Sequence, residues 1–215
     1  MNSEYWPAFL IVFGSSCLVS AALAPLAQWL GRKTGLADAP GGRRQHSGVI
    51  SRLGGVALFG GFMVGVLLTL GLPSAWLPPH LDPNERVRLT GLILGSTAIF
   101  IFGLFDDRYR FSSLPQYVAQ LVSSLIAIAF IIFIERVNNP FTNQPIVFPM
   151  LLVWVLTIFW FTGMMNTVNW LDGLDGLAAG VTAILSIVLA VHMIREGQYS
   201  VAMLPLALLG ATIGF

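Results

Sequence analysis

The sequence predicts an all-α polytopic membrane protein, a bundle of about seven transmembrane helices. Three observations carry that expectation. Hydrophobic residues make up 56% of the 215 and charged residues only 10%, against an apolar share of roughly 45–50% in a soluble domain. Mean hydropathy is +0.80, too high for a soluble domain with one anchor. Apolar runs approaching the ~20 residues that cross a bilayer recur along the whole chain. Lipid forces each run to be helical, because an unsatisfied backbone group there costs several kcal/mol.

The first run, Tyr5–Leu30, is too long and too weakly basic at its start for a cleaved signal peptide. Glu4 precedes it and no basic residue does, so it reads as a permanent span. Cys17, the single cysteine, lies inside this run, where an inert buried thiol is expected. The second, Leu53–Leu72, carries Gly60, Gly61 and Gly65, which allow close helix contact. Leu89–Phe105, Tyr117–Ile134, Phe148–Met165, Leu177–Ile194 and Val201–Phe215 complete the set. The connections Pro73–Val87 and Glu135–Val147 read as plain linkers. All 215 residues are taken as one integral-membrane domain.

With seven crossings in sequence, the segments after the first, third and fifth runs share one membrane face. They are Gly31–Arg52, Asp106–Leu114 and Asn166–Gly176. Arg32, Lys33, Arg43, Arg44, Arg52, Arg108 and Arg110 lie there, whereas Arg86, Arg88, Arg136 and Arg195 lie opposite. The positive-inside rule makes the first face cytoplasmic and puts the N-terminus outside. Asp106, Asp107, Asp172 and Asp175 collect on that same face. The net charge of +1 gives no sign of a nucleic-acid partner.

The most polar stretch is Asn166-Thr167-Val168-Asn169-Trp170-Leu171-Asp172-Gly173-Leu174-Asp175-Gly176, pressed on both sides by apolar runs. Ionisable groups beside a span are costly unless they meet water, a cation or each other, which makes them functional candidates. Asn166, Asn169, Asp172 and Asp175 recur at a constant spacing of three, a pattern that lines one helical face. The plainer alternative makes Asp172 or Asp175 the N-cap of the sixth helix. Asp106-Asp107 end the third run. Two adjacent carboxylates repel one another, and magnesium, which takes one or two carboxylates with waters and substrate phosphates, relieves that repulsion. The alternative is a solvated helix end balanced by Arg108 and Arg110. In the first loop, Arg43 and Arg44 offer guanidinium forks suited to phosphate, and Gly54-Gly55 allows close backbone approach. The positive-inside rule by itself also accounts for these arginines, and His46 reads equally as a structural histidine.

Arg43-Arg44-Gln45-His46 leading to Arg52-Leu53-Gly54-Gly55, then Gly103-Leu104-Phe105-Asp106-Asp107-Arg108, then Asn166 through Asp172-Gly173-Leu174-Asp175-Gly176-Leu177-Ala178-Ala179-Gly180, together resemble the polyprenyl-phosphate N-acetylhexosamine-1-phosphate transferase family. The branch resembled most is the undecaprenyl-phosphate GlcNAc-1-phosphate transferases. The likeness extends over essentially the whole chain. Ser51 stands where many relatives have proline. Relatives also carry more spans and a later histidine-rich loop, so the chain is expected to be the N-terminal, C-terminally truncated portion of a longer fold. The resemblance implies transfer of N-acetylhexosamine 1-phosphate from a UDP-sugar to undecaprenyl phosphate, releasing UMP, at the cytoplasmic face of a bacterial inner membrane. It implies Mg2+, or Mn2+ in its place, on Asp107 and Asp172. Asp106, Asp107, Asp172 and Asp175 are then the catalytic set, and Arg43, Arg44, His46, Asn166 and Asn169 hold substrate. It also admits a homodimer. The rival readings are an ion-coupled transporter, which would spread its acids through the bilayer depth, and a non-catalytic remnant of the transferase fold.

Overall fold

A computed structural model describes residues 5–35, 37–38, 50–73, 75–173 and 176–215. The seven expected apolar runs are seven helices: α1 (Trp6–Thr34), α2 (Gly54–Gly71), α3 (Glu85–Tyr109), α4 (Ser113–Ala129), α5 (Met150–Leu171), α6 (Leu177–Arg195) and α7 (Tyr199–Gly214). Five of them, α1, α2, α3, α5 and α6, are long and apolar enough to cross a bilayer; α4 and α7 are shorter apolar helices. The protein is a multi-pass membrane protein. Helix ends follow local chemistry. Pro7 opens α1 in the first turn, where a missing N–H costs nothing. Arg32 and Lys33 face the negative end of the α1 dipole. Glu85 sits in the first turn of α3 and Arg108 in its last.

The chain divides into two compact units, one formed by the residues up to Leu81 together with Leu171–Phe215, the other by Asp82–Trp170. In the first unit α1 packs on α2 and α7, and α7 also packs on α2 and α6. Small residues let these backbones approach. A Cβ on Gly65 would run into Ser16 Oγ and lie 2.7 Å from the Ala207 Cβ, and one on Gly210 would run into the Phe13 carbonyl. In lipid, where apolar side chains gain nothing by leaving the solvent, such contact is a main source of helix association.

Among the described residues, two short antiparallel pairs interrupt the helices. β1 (Ala37–Asp38) pairs with β2 (Ile50–Ser51), bracketing the first polar loop. The Ser51 hydroxyl donates to the Ala27 carbonyl of α1 at 2.9 Å and accepts the Leu53 N–H at 3.1 Å. Serine at this position thus ties the entry of α2 to α1, a link a proline ring cannot make. β3 (Arg136–Asn138) pairs with β4 (Pro145–Val147). Glu135–Val147, expected to be a plain linker, is therefore a hairpin. The Arg-Val-Asn and Pro-Ile-Val triplets were too short to read as strands against their many turn formers.

In the second unit, α3 and α4 form an antiparallel pair closed by residues 110–112. Ser123 Oγ of α4 donates to the Gly95 carbonyl of α3 at 3.0 Å, and Arg88 Nε near the start of α3 donates to the Ile131 carbonyl just past α4. Gln120 of α4 meets Asn166 of α5, while the Ile134 N–H beyond α4 donates to buried Thr157 Oγ1 of α5 at 2.9 Å. The first contact lies late in α5 and the second earlier, so α5 runs antiparallel to α4 and parallel to α3. The C-terminal ends of α3 and α5 therefore lie at the same end of this unit.

Candidate functional site

Asp106 and Asp107 occupy the last turn of α3, both partly exposed. The chain turns immediately after them. Arg110 takes a left-handed conformation (φ 51°), with its N–H on the Asp106 carbonyl at 2.7 Å. The Asp106 carboxylate braces that turn. Its Oδ1 accepts the Phe111 N–H at 2.9 Å and its Oδ2 accepts Gln116 Nε2 of α4 at 3.0 Å. Phe111 stacks on Phe102 at 5.5 Å and lies 6.0 Å from Tyr109, walling the turn with rings. Asp106 is thus more than a solvated helix end. Each of its oxygens accepts one bond and keeps a second acceptor site.

Asn166 and Asn169 both lie within α5. Asn166 forms a reciprocal amide pair with Gln120, its Nδ2 donating to Oε1 at 2.9 Å and Gln120 Nε2 returning a bond to Oδ1 at 3.3 Å. Its other N–H reaches the Thr162 carbonyl at 2.8 Å. Asn169, almost one turn further, is exposed, and Trp170 beside it is 82% exposed.

The helical face expected to run from Asn166 through Asp175 stops earlier. α5 ends at Leu171 and Asp172 is an exposed residue of the following turn. The N-cap of α6 is Gly176, in the left-handed conformation at φ 76° with no side-chain cap, so Asp172 is not the cap of that helix. A left-handed residue breaks helical periodicity, and Gly176 was visible in the sequence. Asp175, Arg43, Arg44 and His46 lie outside the described residues.

Comparison with known proteins bears on this arrangement. The model of "Glycosyl transferase family 4" matches residues 89–215, which is more than half of the chain and includes both acid motifs. The chain belongs to glycosyl transferase family 4. It is 28% identical over 215 residues to a probable undecaprenyl-phosphate N-acetylglucosaminyl 1-phosphate transferase of Bacillus subtilis (strain 168), covering 100% of this chain and 56% of that protein. It is 29% identical over 222 residues to a phospho-N-acetylmuramoyl-pentapeptide-transferase of Geobacillus kaustophilus (strain HTA426), covering 97% and 66%. Over 188 residues it is 28% identical to a decaprenyl-phosphate N-acetylglucosaminephosphotransferase of Mycolicibacterium smegmatis, covering 82% and 45%. The chain thus spans about half to two thirds of the length of these relatives.

Among the described residues of this family 4 chain, no group of three or more His, Cys, Asp or Glu side chains gathers as a metal cage. Adjacent Asp106 and Asp107, partly exposed at a helix end, instead suit a hard cation that retains water and takes its other oxygens from substrate phosphates. Sequence reasoning missed two residues at this end, Gln116 and Gln120. Their signal was present: both are amides in a mostly apolar helix, four apart and so on one face.

Proposed function

We propose that this chain carries the catalytic face of an enzyme that transfers N-acetylhexosamine 1-phosphate from a UDP-sugar to undecaprenyl phosphate, releasing UMP and starting cell-envelope polysaccharide synthesis. One observation carries the reading. The acid pair ending α3 and the asparagines ending α5 lie at the same end of their unit, in a family 4 chain whose relatives are named for that kind of transfer. The acidic residues support it over an ion-coupled transporter. Asp82, Glu85, Asp106, Asp107, Glu135, Asp172 and Glu196 all sit in helix end turns or between helices, with none at mid-helix among the described residues.

In this reading a phosphate oxygen of the lipid bonds to the β-phosphorus of the nucleotide. The bond from that phosphorus to the bridging oxygen breaks, and UMP departs with the electron pair. One diphosphate is exchanged for another, so the protein's task is to bring two polyanions together by positioning and charge neutralisation. Asp107 and Asp172 would hold Mg2+, which would supply positive charge against the diphosphate. Asp106 orients water or lipid phosphate from its fixed place in the α3–α4 turn. Asp175 and Asn169 orient water or sugar, and Arg43, Arg44 and His46 take phosphate. No strong base is required, because a phosphate monoester is already largely ionised near neutral pH. The site faces the cytoplasm of a bacterial inner membrane, where charged UDP-sugars are found and the isoprenoid tail can stay in lipid. UDP-GlcNAc is the donor assigned.

The test incubates membranes carrying the inserted protein with labelled UDP-GlcNAc and undecaprenyl phosphate. Magnesium-dependent release of UMP, with label entering a lipid diphosphate, is expected. No release with magnesium and both substrates present would reject the reading.

A further inference from the structure

We infer that Gln116 and Gln120 of α4 are positioning residues, one for each of the two helix ends that carry the proposed chemistry. They lie four residues apart and therefore on one face of α4. Gln116 looks to α3. Its Nε2 donates to Asp106 Oδ2 at 3.0 Å and lies 3.4 Å from the Phe111 carbonyl, so one amide holds both the carboxylate and the turn behind it. Gln120 looks to α5. Its amide pairs with that of Asn166 in both directions, at 2.9 and 3.3 Å. Asn166 spends both hydrogens of Nδ2 on Gln120 and on the Thr162 carbonyl, which leaves it no N–H to offer a substrate. Its part is to fix the rotation of α5 one turn before Asn169.

The physical reason for two amides here is selectivity of register. Apolar packing between helices in lipid is tolerant of sliding and rotation, whereas a two-way amide bond is satisfied at one rotation only. A shift of α4 along its axis would break both contacts at once, since Gln116 and Gln120 ride on the same rigid helix. Asp106 and Asn166 are thereby set relative to one another without touching. A neutral amide also adds no charge beside Asp106 and Asp107.

The inference rests on the transferase reading, and its test keeps the two apart. Melting of the detergent-solubilised protein is followed for Gln120→Leu, Asn166→Leu and the double variant. Turnover is followed for these and for Gln116→Leu, Gln120→Glu and the exchanged pair Gln120→Asn with Asn166→Gln. The double variant is expected to lose no more melting temperature than the worse single variant, as coupled partners do. Gln116→Leu and Gln120→Leu are expected to lower kcat roughly 10- to 100-fold while KM for UDP-GlcNAc moves less than about 3-fold, the pattern of misplacement rather than lost binding. Gln120→Glu keeps the acceptor for Asn166 Nδ2 and loses the donor, so it folds and shows an intermediate kcat. The exchanged pair restores both bonds and recovers most of the rate. An active wild type with unchanged kcat in Gln116→Leu and Gln120→Glu overturns the inference alone, as does strict additivity in melting. A wild type without transfer but with coupled melting overturns the transferase reading and, with it, any positioning role.

Discussion

Asp107→Asn and Asp172→Asn are each expected to reduce transfer by on the order of 10³-fold, the scale seen when a fixed group that stabilises developing charge is removed. Neither change should disturb insertion. Asp172 is exposed in the turn after α5, and Asp107 lies partly exposed in the last turn of α3. Both substitutions keep side-chain volume and exchange one carboxylate oxygen for an amide nitrogen, and membrane yield and melting measured beside the rate separate lost charge from lost fold. The measurement is UMP release by equal amounts of inserted protein across a magnesium titration. The Asp106 oxygens brace the α3–α4 turn through the Phe111 N–H and Gln116. The expected signature of Asp106→Asn is a lowered melting temperature together with lost rate. Wild-type turnover by both Asp107→Asn and Asp172→Asn would remove the metal-binding role assigned to them.

The second large effect concerns stability. Gly210→Val should prevent α7 from closing on α1. The new Cβ would be driven into the Phe13 carbonyl and within 2.9 Å of the Ser16 Cβ, and backbone cannot yield as a flexible side chain can. Overpacking of this kind costs about 1–3 kcal/mol and sometimes more, and two further methyl groups need space as well. The expectation is loss of the monodisperse detergent-solubilised protein, or a melting temperature lowered by many degrees. Gly14→Ala in α1 is the control, because nothing lies within 4 Å of its added Cβ. That variant should melt at or slightly above the wild-type temperature, since alanine is favoured over glycine in helices by about 1 kcal/mol. Equal melting of Gly210→Val and wild type would mean that α1 and α7 do not meet through this glycine.

The seven helices were legible because lipid permits few alternatives for an apolar run, and each run named in the sequence is a helix within a few residues. The shared end of α3 and α5 was legible too. Parity of crossings placed their polar ends on one face, and contacts of α4 with both helices support that arrangement. What escaped was local. The hairpin of Arg136–Asn138 with Pro145–Val147 carries little hydrophobic alternation, so period gave no signal. The polar stretch after Asn166 has helical spacing, yet the left-handed Gly176 and the turn at Asp172 end that period. Gln116 and Gln120 carry no charge, so neither the acid pattern nor the positive-inside bias marks them. In lipid an uncharged amide is also expensive to bury unpaired, and it marks a contact just as a carboxylate does. Ser51, where the resemblance led to an expectation of proline, has a bond of its own to Ala27.

The central proposal is that Asp107 and Asp172 serve one divalent cation. Mn2+ binding followed by electron paramagnetic resonance, on the inserted protein with UDP-GlcNAc present, tests it most directly. Loss of a mere supporting partner already weakens metal sites 10- to 100-fold. One Mn2+ per chain is therefore expected, weakened by at least about 10-fold in Asp107→Asn and again in Asp172→Asn, with the double variant little worse than either. Undiminished binding in either single variant would contradict the claim, because that carboxylate would then hold no part of the ion.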